Sequence, residues 1–148
     1  MGAEKRWWYE FSENRPRRIG KIMTIKEVSE KYGISQDTLR YYEKIGVIPT
    51  VTRTSGGIRN YTEKDIGWVE NAVCMRNAGL PVEVIAEYCR LYNMGDSTIG
   101  ARLELLTEQR KKLIEQKEQL EAEIDRLDYK IGRYEIAVKT GVLSWDKE

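Results

Sequence analysis

Histidine is absent from this sequence of 148 residues, and cysteine, proline and phenylalanine occur only two, three and one times. Without histidine the chain lacks the commonest general base and the commonest metal ligand, and no Ser-His or Cys-His pair can form. Glycine-rich phosphate loops of the P-loop or dinucleotide type are also missing from the sequence. These absences argue against an enzyme. With only two cysteines as soft ligands, we expect no zinc, copper or mercury site and no cofactor.

Long apolar runs are missing as well, and so is the apolar core of a signal peptide in the N-terminal residues MGAEKRWWYEF. A membrane span needs about 20 predominantly apolar residues in succession, so we expect no membrane partner. The two cysteines, Cys74 and Cys89, occur without a secretory signal. That combination indicates a reducing compartment, and we expect the protein in the cytoplasm.

The net charge of +1 conceals two halves of opposite sign. Residues 1–62 carry 12 Lys or Arg against 7 Asp or Glu, a balance of +5. Residues 63–148 carry 13 against 17, a balance of −4. The first half is therefore the part of the chain that we expect to meet phosphate.

Two short helices joined by a tight turn are predicted just after the basic N-terminal segment. Thr24 followed by Glu27 is a capping box that opens the first helix, and Gly33 ends it. Ser35 can cap the second helix, which Gly46 ends. This order is typical of the helix-turn-helix unit, whose second helix enters the DNA major groove with its N-terminal residues facing the bases. The polar side chains at that end of the second helix are Ser35, Gln36, Thr38 and Arg40.

A basic loop with a glycine turn follows the second helix. Pro49 prevents the helix from continuing, and the run Ser55, Gly56, Gly57 is a turn signal between two short extended pieces. We therefore predict a two-stranded hairpin, or wing, with Arg53 and Arg59 on either side of its tip. Wing residues of this kind contact the sugar-phosphate backbone and set register more than they read sequence. The alternative for Arg59 is a solvated loop arginine.

The runs DTLRYYEKIGVIP and SGGIRNYTEKD strongly resemble the N-terminal DNA-binding module of the MerR family of bacterial transcription regulators. The resemblance extends over roughly the whole chain after Met23. Gly57, Arg59 and Tyr61 match the family's wing residue by residue, which favours DNA contact over the solvated alternative. The candidate DNA contacts are Thr24, Ser35, Gln36, Thr38, Arg40, Tyr41, Tyr42, Arg53, Gly57, Arg59, Tyr61 and Arg76.

Two further helices follow the predicted wing. Thr62 with Asp65 opens a third helix that ends near Gly79, and Pro81 at a first helical position starts a fourth that finishes before Gly95. In the family that the chain resembles, this pair forms a second, degenerate helix-turn-helix that braces the first and can touch phosphates. Arg76 is the candidate for such a contact, whereas Trp68 is expected in the core.

From about residue 97 the sequence becomes a sustained heptad pattern with charged flanks, which predicts a coiled coil. A helix of about 40 residues cannot bury its apolar seam against so small a body, so a partner chain is implied. The resemblance implies an identical chain lying antiparallel, which the heptads alone do not decide. One seam position holds Leu106, Leu113, Leu120, Leu127 and Tyr134, and the other holds Leu103, Arg110, Lys117, Ile124, Ile131 and Val138.

The predicted fold class is mainly α, a winged helix-turn-helix domain followed by a long C-terminal dimerisation helix. The predicted divisions are an N-terminal extension over residues 1–22, a DNA-binding domain over 23–95, and a coiled-coil helix with a short tail over 96–148. The extension is interpreted either as disordered or as a basic arm along DNA that uses Arg15, Arg17 and Arg18.

Cys74 lies on the third predicted helix in the run VENAVCMRNAGLP. This run resembles the aldehyde- and thiol-stress-responsive branch of the family, the AdhR-like and NmlR-like regulators, in which a single cysteine in such a run is the proposed sensor. Arg76 two residues on would favour the thiolate, the form that attacks an electrophile. The alternative is that Cys74 is a small buried hydrophobe, the usual state of a free cysteine. Cys89 is expected to serve packing.

Together these features predict a homodimeric regulator of double-stranded promoter DNA. Two-fold symmetry predicts a pseudo-palindromic operator. In the family that the chain resembles, the dimer distorts the spacer between the −35 and −10 elements, so that RNA polymerase is an indirect partner. A thiol-reactive electrophile such as an aldehyde would switch the regulator. The alternatives are a constitutive DNA-bending protein without a cysteine sensor and a coiled-coil adaptor that has lost DNA binding, against which the wing residues argue.

Overall fold

The structure is a computed structural model, and it describes residues 22–145. The predicted basic arm of Arg15, Arg17 and Arg18 lies outside the described residues. The described part is mainly α-helical, with a winged helix-turn-helix followed by a long C-terminal helix, as predicted. In chain order the helices are α1 Ile25–Tyr32, α2 Gln36–Ile45, α3 Glu63–Asn77, α4 Val82–Asn93 and α5 Ile99–Thr140, with a 3₁₀ turn at Asp96–Thr98 before the last.

The first two helices begin and end at the predicted residues. Thr24 Oγ1 accepts from the Glu27 backbone N–H at 3.2 Å, and the Glu27 carboxylate accepts from the Thr24 N–H at 2.8 Å. Gly33 ends α1 at φ 65° and Gly46 ends α2 at φ 85°. Both values lie in the left-handed region, which glycine adopts without the strain that a Cβ would cause.

The four helices α1, α2, α3 and α4 and the loop after α2 share one hydrophobic core. Its fully buried side chains come from every one of these segments, so each segment contributes apolar surface to the same cluster. Burying a side chain of this size contributes about 1.5 to 3 kcal/mol relative to leaving it in water. The fully buried members of largest volume are Tyr61, Leu39, Ile48, Ile85, Val28, Val47 and Val69.

The wing is shorter than the predicted two-stranded hairpin. Arg53 and Arg59 form a single antiparallel bridge, and the loop closes with the Thr54 N–H on the Ile58 carbonyl at 2.8 Å. Within the described residues no strand is present, and residues 52–58 are all exposed. A hairpin needs an apolar face packed on a third element to hold a longer ladder, and this loop has none.

The third and fourth helices meet the same core. Thr62 caps α3 in a capping box with Asp65, as predicted. Pro81 lies at the N-cap of α4 and not at its first helical position, because its ψ of 151° is extended. Trp68 packs edge-on against Tyr92, with ring centroids 5.1 Å apart, which agrees with a packing role.

The C-terminal helix α5 has 42 residues and is therefore about 63 Å long at 1.5 Å per residue. The chain divides into one compact unit that ends at Leu105 and a second that begins at Leu106. Within the second unit the chain reverses at Gly141, and the Trp145 ring packs against Tyr134 at 5.8 Å between centroids. Of the helices in residues 22–145, not one combines the length and the apolar character that a bilayer crossing requires.

Candidate nucleic-acid interface

The N-terminal turn of α2 presents the polar side chains that the sequence predicts for base contacts. Ser35 caps the helix, since its Oγ accepts from the Thr38 N–H at 3.0 Å and donates to Thr38 Oγ1 at 2.8 Å. The Arg40 guanidinium donates to Asp37 at 2.8 Å and to Gln36 Oε1 at 3.4 Å. The side chains of Arg40 and Asp37 are 45% and 95% exposed, so water screens this pair and it contributes little to stability.

Tyrosines that were predicted to contact DNA divide into exposed and buried ones. Tyr41 on α2 is 49% exposed, and Thr24 at the start of α1 is exposed as well. Tyr42 is only 9% exposed and Tyr61 is completely buried. The structure therefore does not bring Tyr42 and Tyr61 to the surface that Arg40 and Tyr41 share. Their apolar rings are more stable in the core, since α2 directs Tyr42 inward and the bridge to Met23 holds Tyr61.

The Tyr61 hydroxyl is buried without a hydrogen-bond partner among the described residues. Burial raises the pKa of Tyr61 above its usual value, and the neighbouring Arg59 charge opposes this only in part. The phenol is therefore neutral at physiological pH. Its ring belongs to the hydrophobic core, and its backbone pairs with Met23.

Glu43 on α2 connects the two wing arginines to the recognition helix. Its Oε1 lies 3.3 Å from Arg53 Nη2 and 3.3 Å from Arg59 Nη2, and its Oε2 accepts from Arg59 Nε at 3.4 Å. The same Oε2 accepts from the Val51 N–H at 3.1 Å. Arg53 also donates from Nη1 to the Gly57 carbonyl at 2.8 Å, which closes the wing turn. One carboxylate thus organises both predicted phosphate contacts.

Sequence reasoning missed Glu43. In the run RYYEK it has the pattern of a solvated helix carboxylate, and its partners lie 8 to 16 residues further along the chain. The signal in the sequence is a carboxylate in a helix that is predicted to contact DNA, because a negative charge there repels phosphate unless basic side chains neutralise it.

A second carboxylate, that of Asp65, also holds the wing. Asp65 is 9% exposed, and its Oδ2 accepts from the Thr62 N–H at 2.9 Å, from the Thr62 hydroxyl at 2.9 Å and from the Thr52 N–H at 3.3 Å. The capping box of α3 therefore also holds the strand-like start of the wing. Each of the two carboxylates, Glu43 and Asp65, therefore links the chain before the wing tip to the chain after it.

Arg76 lies at the C-terminal end of α3 and is exposed as a residue. Its Nη1 donates to the Leu80 carbonyl oxygen at 2.8 Å, which satisfies a carbonyl just beyond the helix end. The guanidinium has further donors that this bond does not use. Arg76 therefore stays a predicted phosphate contact with a structural role besides.

The two cysteines are free and differ in exposure. Cys74 is half-buried, whereas Cys89 is buried and accepts a hydrogen bond from Asn93 Nδ2 at 3.6 Å. Burial raises the pKa of the Cys74 thiol, and burial raises that of Cys89 to about 11 against the smaller lowering effect of the Asn93 bond. The predicted activation of Cys74 by Arg76 is therefore wrong, because desolvation dominates and Arg76 is directed to Leu80. Both thiols are protonated at neutral pH.

The described acidic and thiol side chains do not converge on a metal site. In the part of the chain that the structure describes, no group of three or more Cys, Asp or Glu side chains could hold a metal ion. The carboxylates nearest to the interface, Glu43 and Asp65, already accept hydrogen bonds from arginine and backbone donors.

Comparison with known proteins relates this architecture to regulators. The sequence pattern described as MerR HTH family regulatory protein matches residues 23–91. The chain is 48% identical over 93 residues to the HTH-type transcriptional regulator AdhR of Bacillus subtilis, which covers 63% of this chain and 66% of that protein. It is 36% identical over 118 residues to an uncharacterised HTH-type transcriptional regulator of Haemophilus influenzae, covering 80% and 87% of the two chains.

A solved structure is similar to this chain over most of its length. The crystal structure of HiNmlR, a MerR family regulator lacking the sensor domain and bound to promoter DNA, matches with a TM-score of 0.64 and 35% identity. The match covers 83% of this chain and 98% of that chain.

Proposed function

The chain belongs to the MerR family of helix-turn-helix regulatory proteins, and from this premise we propose that it binds a pseudo-palindromic promoter as a homodimer and distorts it. In its general form it is a DNA-binding transcription regulator. The observation that carries the proposal is that Glu43 of α2 forms ion pairs with Arg53 and Arg59, which tie the wing to the recognition helix. The exposed residues of α2 and of the wing, Arg40 and Arg53 among them, form the proposed DNA-binding surface.

We propose two kinds of contact on this surface. Arg40, together with Ser35, Gln36, Thr38 and Tyr41, faces base edges, because arginine can donate two parallel hydrogen bonds to guanine in the major groove. Its present partner Asp37 is almost fully solvated, so exchanging that partner for a base costs little. Phosphate contacts come from the wing, the positive end of the α2 dipole, Thr24 and Arg76.

The homodimer is proposed from the exposed seam of α5. Leu113, Leu120, Leu127 and Ile131 in the second unit are between 41% and 61% exposed in the single chain. An apolar stripe of this length on a solvated helix marks an interaction surface, although Arg110 and Lys117 interrupt its first half. A second copy of the chain supplies a matching stripe, and the resulting two-fold symmetry requires two half-sites in the operator.

Distortion of the promoter gives the regulator its output, with RNA polymerase as the indirect partner. Bending a site of this size costs about 1 to 6 kcal/mol, which the protein supplies through contacts made only to the bent form. A change of a few kcal/mol between two protein-DNA shapes is then sufficient to switch transcription.

The DNA proposal is tested by gel-shift titration of the unaltered protein, called the parent, and of Arg40→Ala. Both are titrated on a DNA duplex that the parent selects from a random pool. We expect Arg40→Ala to lose about 1 to 3 kcal/mol of affinity and to relax the selected sequence. Arg90→Ala is the matched control, since Arg90 is exposed and pairs with Glu87 three residues away, as Arg40 does with Asp37. Equal affinity and specificity of parent and Arg40→Ala would remove Arg40 from the interface.

The dimer is tested separately by sedimentation equilibrium. Leu120→Glu places a charge in the seam and should convert the dimer to a monomer, whereas Gln116→Glu adds the same charge outside the seam and should not. A monomeric parent protein would refute the dimer.

We further propose Cys74 as the residue through which a thiol-reactive electrophile, such as an aldehyde, switches the regulator. Cys74 is the more accessible of the two cysteines, since Cys89 is buried. Addition of the thiolate to a carbonyl carbon forms the C–S bond and opens the C=O π bond, and the proton that the thiol lost on ionisation returns to the carbonyl oxygen. Only the thiolate fraction attacks, so the reaction is slow without transient exposure.

The sensor proposal is tested by intact-mass analysis with formaldehyde or methylglyoxal, followed by peptide mapping, and by a promoter reporter. The adduct should map to Cys74, and Cys74→Ser should bind DNA as the parent does while losing induction; Cys89→Ser is the control. Undiminished induction of the Cys74→Ser strain would leave the alternative, a constitutive DNA-bending protein.

A further inference from the structure

We propose that Glu43 sets the discrimination between operator and nonspecific DNA by holding the two wing arginines against α2. In this arrangement the wing delivers its full charge to phosphate only when α2 is seated on its bases. Glu43 is a positioning residue, since it acts through Arg53 and Arg59 and does not itself touch DNA. This inference rests on the proposed DNA-binding function.

The geometry places one charge between two opposite charges. The Glu43 side chain is 11% exposed, and its carboxylate lies within 3.4 Å of donor atoms of Arg53 and Arg59. Removal from water weakens screening and strengthens ion pairs compared with those on the open surface. A carboxylate at this position therefore neutralises about half of the charge that the two wing arginines present to an approaching duplex.

The two arginines are held unequally. The Arg59 side chain is 21% exposed and donates from two nitrogen atoms to Glu43, whereas the Arg53 side chain is 41% exposed and donates to Glu43 from one. Arg53 Nη1 additionally donates to the Gly57 carbonyl. Arg59 is therefore the tether between wing and helix, and Arg53 is the arginine that can exchange Glu43 for a phosphate.

This arrangement makes phosphate compete with Glu43 on every DNA. On nonspecific DNA the wing alone must displace the carboxylate from Arg53. On the operator, the base contacts of α2 keep a phosphate beside Arg53, and the exchange becomes favourable. The operator complex should therefore release more counterions than the nonspecific complex. The slope of log affinity against log salt concentration should be steeper on the operator by about 0.9 for each wing.

The experiment compares salt dependence on two duplexes, one selected by the parent from a random pool and one with the same bases scrambled. Glu43→Gln keeps the size of the side chain and removes its charge. On the scrambled duplex, we expect the slope of log affinity against log salt concentration to steepen by about 0.9 for each wing. When salt is lowered from 200 to 50 mM, the affinity of the variant should therefore rise about 3.5-fold more for each wing than the affinity of the parent does. The preference for the selected duplex should fall accordingly.

Glu30→Gln is the matched control, because Glu30 is exposed on α1 and within residues 22–145 has no ion pair. It should leave both slopes at the parent values. Adding Arg53→Gln to Glu43→Gln should return the scrambled-duplex slope to the parent value, because Arg53 is the charge that Glu43 masks.

If Glu43 had only a structural role, Glu43→Gln would lower the affinity for the scrambled duplex instead of raising it. Glu43→Gln would then weaken binding to both duplexes with unchanged slopes, and that result overturns the inference while leaving DNA binding in place. The Arg53→Gln single variant tests the same idea with Glu43 intact: it should lower the slope on the selected duplex alone, and equal lowering on both duplexes overturns the inference. A parent protein that selects no sequence and binds neither duplex overturns the proposed function and the inference with it.

Discussion

Replacing Tyr61 by phenylalanine removes one hydroxyl from the centre of the DNA-binding unit and should stabilise the protein. The Tyr61 side chain is completely buried, and its hydroxyl has no partner among the described residues. Folding therefore takes this group out of water without replacing the hydrogen bonds that it loses. The ring itself, which fills the core beneath the wing, is unchanged by the substitution.

The magnitude follows from two opposing effects. A buried hydroxyl without a partner costs about 1 to 3 kcal/mol. The space that the missing oxygen leaves costs about 0.3 kcal/mol, on the scale of cavities in protein cores. Tyr61→Phe should therefore raise the free energy of unfolding by about 1 to 2.5 kcal/mol, and the Tm by about 2 to 4 °C for each kcal/mol.

The advantage of the variant should grow at high pH. Burial raises the pKa of Tyr61 in the folded state above its usual value of 10.0. A raised pKa in the folded state means that the unfolded chain loses the proton first, so the parent loses stability as pH rises above about 10 toward the folded value. Phenylalanine has no proton to lose, and the difference between variant and parent widens in that range.

Urea unfolding at pH 7 and at one protein concentration measures the effect, since the stability of a dimer depends on concentration. A variant less stable than the parent by 1 kcal/mol or more would show that the hydroxyl has a partner and would refute the reasoning. A gel shift on the selected duplex adds a second test. Unchanged affinity agrees with a buried Tyr61, whereas a loss of affinity in a well-folded variant would return Tyr61 to the DNA contacts.

Two further predictions concern the same unit. Asp65→Ala should lower the free energy of unfolding by about 2 to 4 kcal/mol, because it removes the carboxylate half of the α3 capping box and leaves the Thr62 and Thr52 N–H groups without their acceptor, whereas Thr62→Ala should cost about 1 kcal/mol; equal losses in urea unfolding would contradict this. Burial raises the pKa of Cys89 to about 11 in the folded state, so the unfolded chain loses the thiol proton first. The stability that is present below the unfolded pKa is therefore lost as the pH rises from the unfolded pKa through the folded pKa of about 11. Between pH 9 and 11 the parent should therefore lose about 2 to 3 kcal/mol more than Cys89→Ala, and parallel pH profiles would refute it.

Features that depend on residues three or four apart could be predicted from the sequence. The capping boxes at Thr24 and Thr62, the cap at Ser35 and the glycine ends at Gly33 and Gly46 all lie where they were expected. Each involves a backbone group and a side chain within one turn of the same helix, so local conformation alone decides it. The long helix was likewise predictable, because a heptad pattern repeats over its whole length.

Features that depend on distant residues were predicted less well. The wing was expected as a hairpin, yet it is one bridge whose shape depends on Glu43 and Asp65. Tyr61 was predicted to contact DNA because Gly57, Arg59 and Tyr61 match the wing of the family, but its ring is buried in the core. The charge effect of Arg76 on Cys74 was expected from spacing, whereas burial decides the direction of the pKa.

The sequence by itself determined where α1 and α2 begin and end, which half of the chain is basic, and that α5 carries an apolar seam, since all three follow from composition and short-range spacing. Only the tertiary structure decided which charges face one another and which polar groups leave water. Glu43, Arg53 and Arg59 meet through a fold that brings residues 10 and 16 positions apart into contact. The strength of these ion pairs depends on their burial, because water screens the three charges less in the folded chain than in the unfolded one.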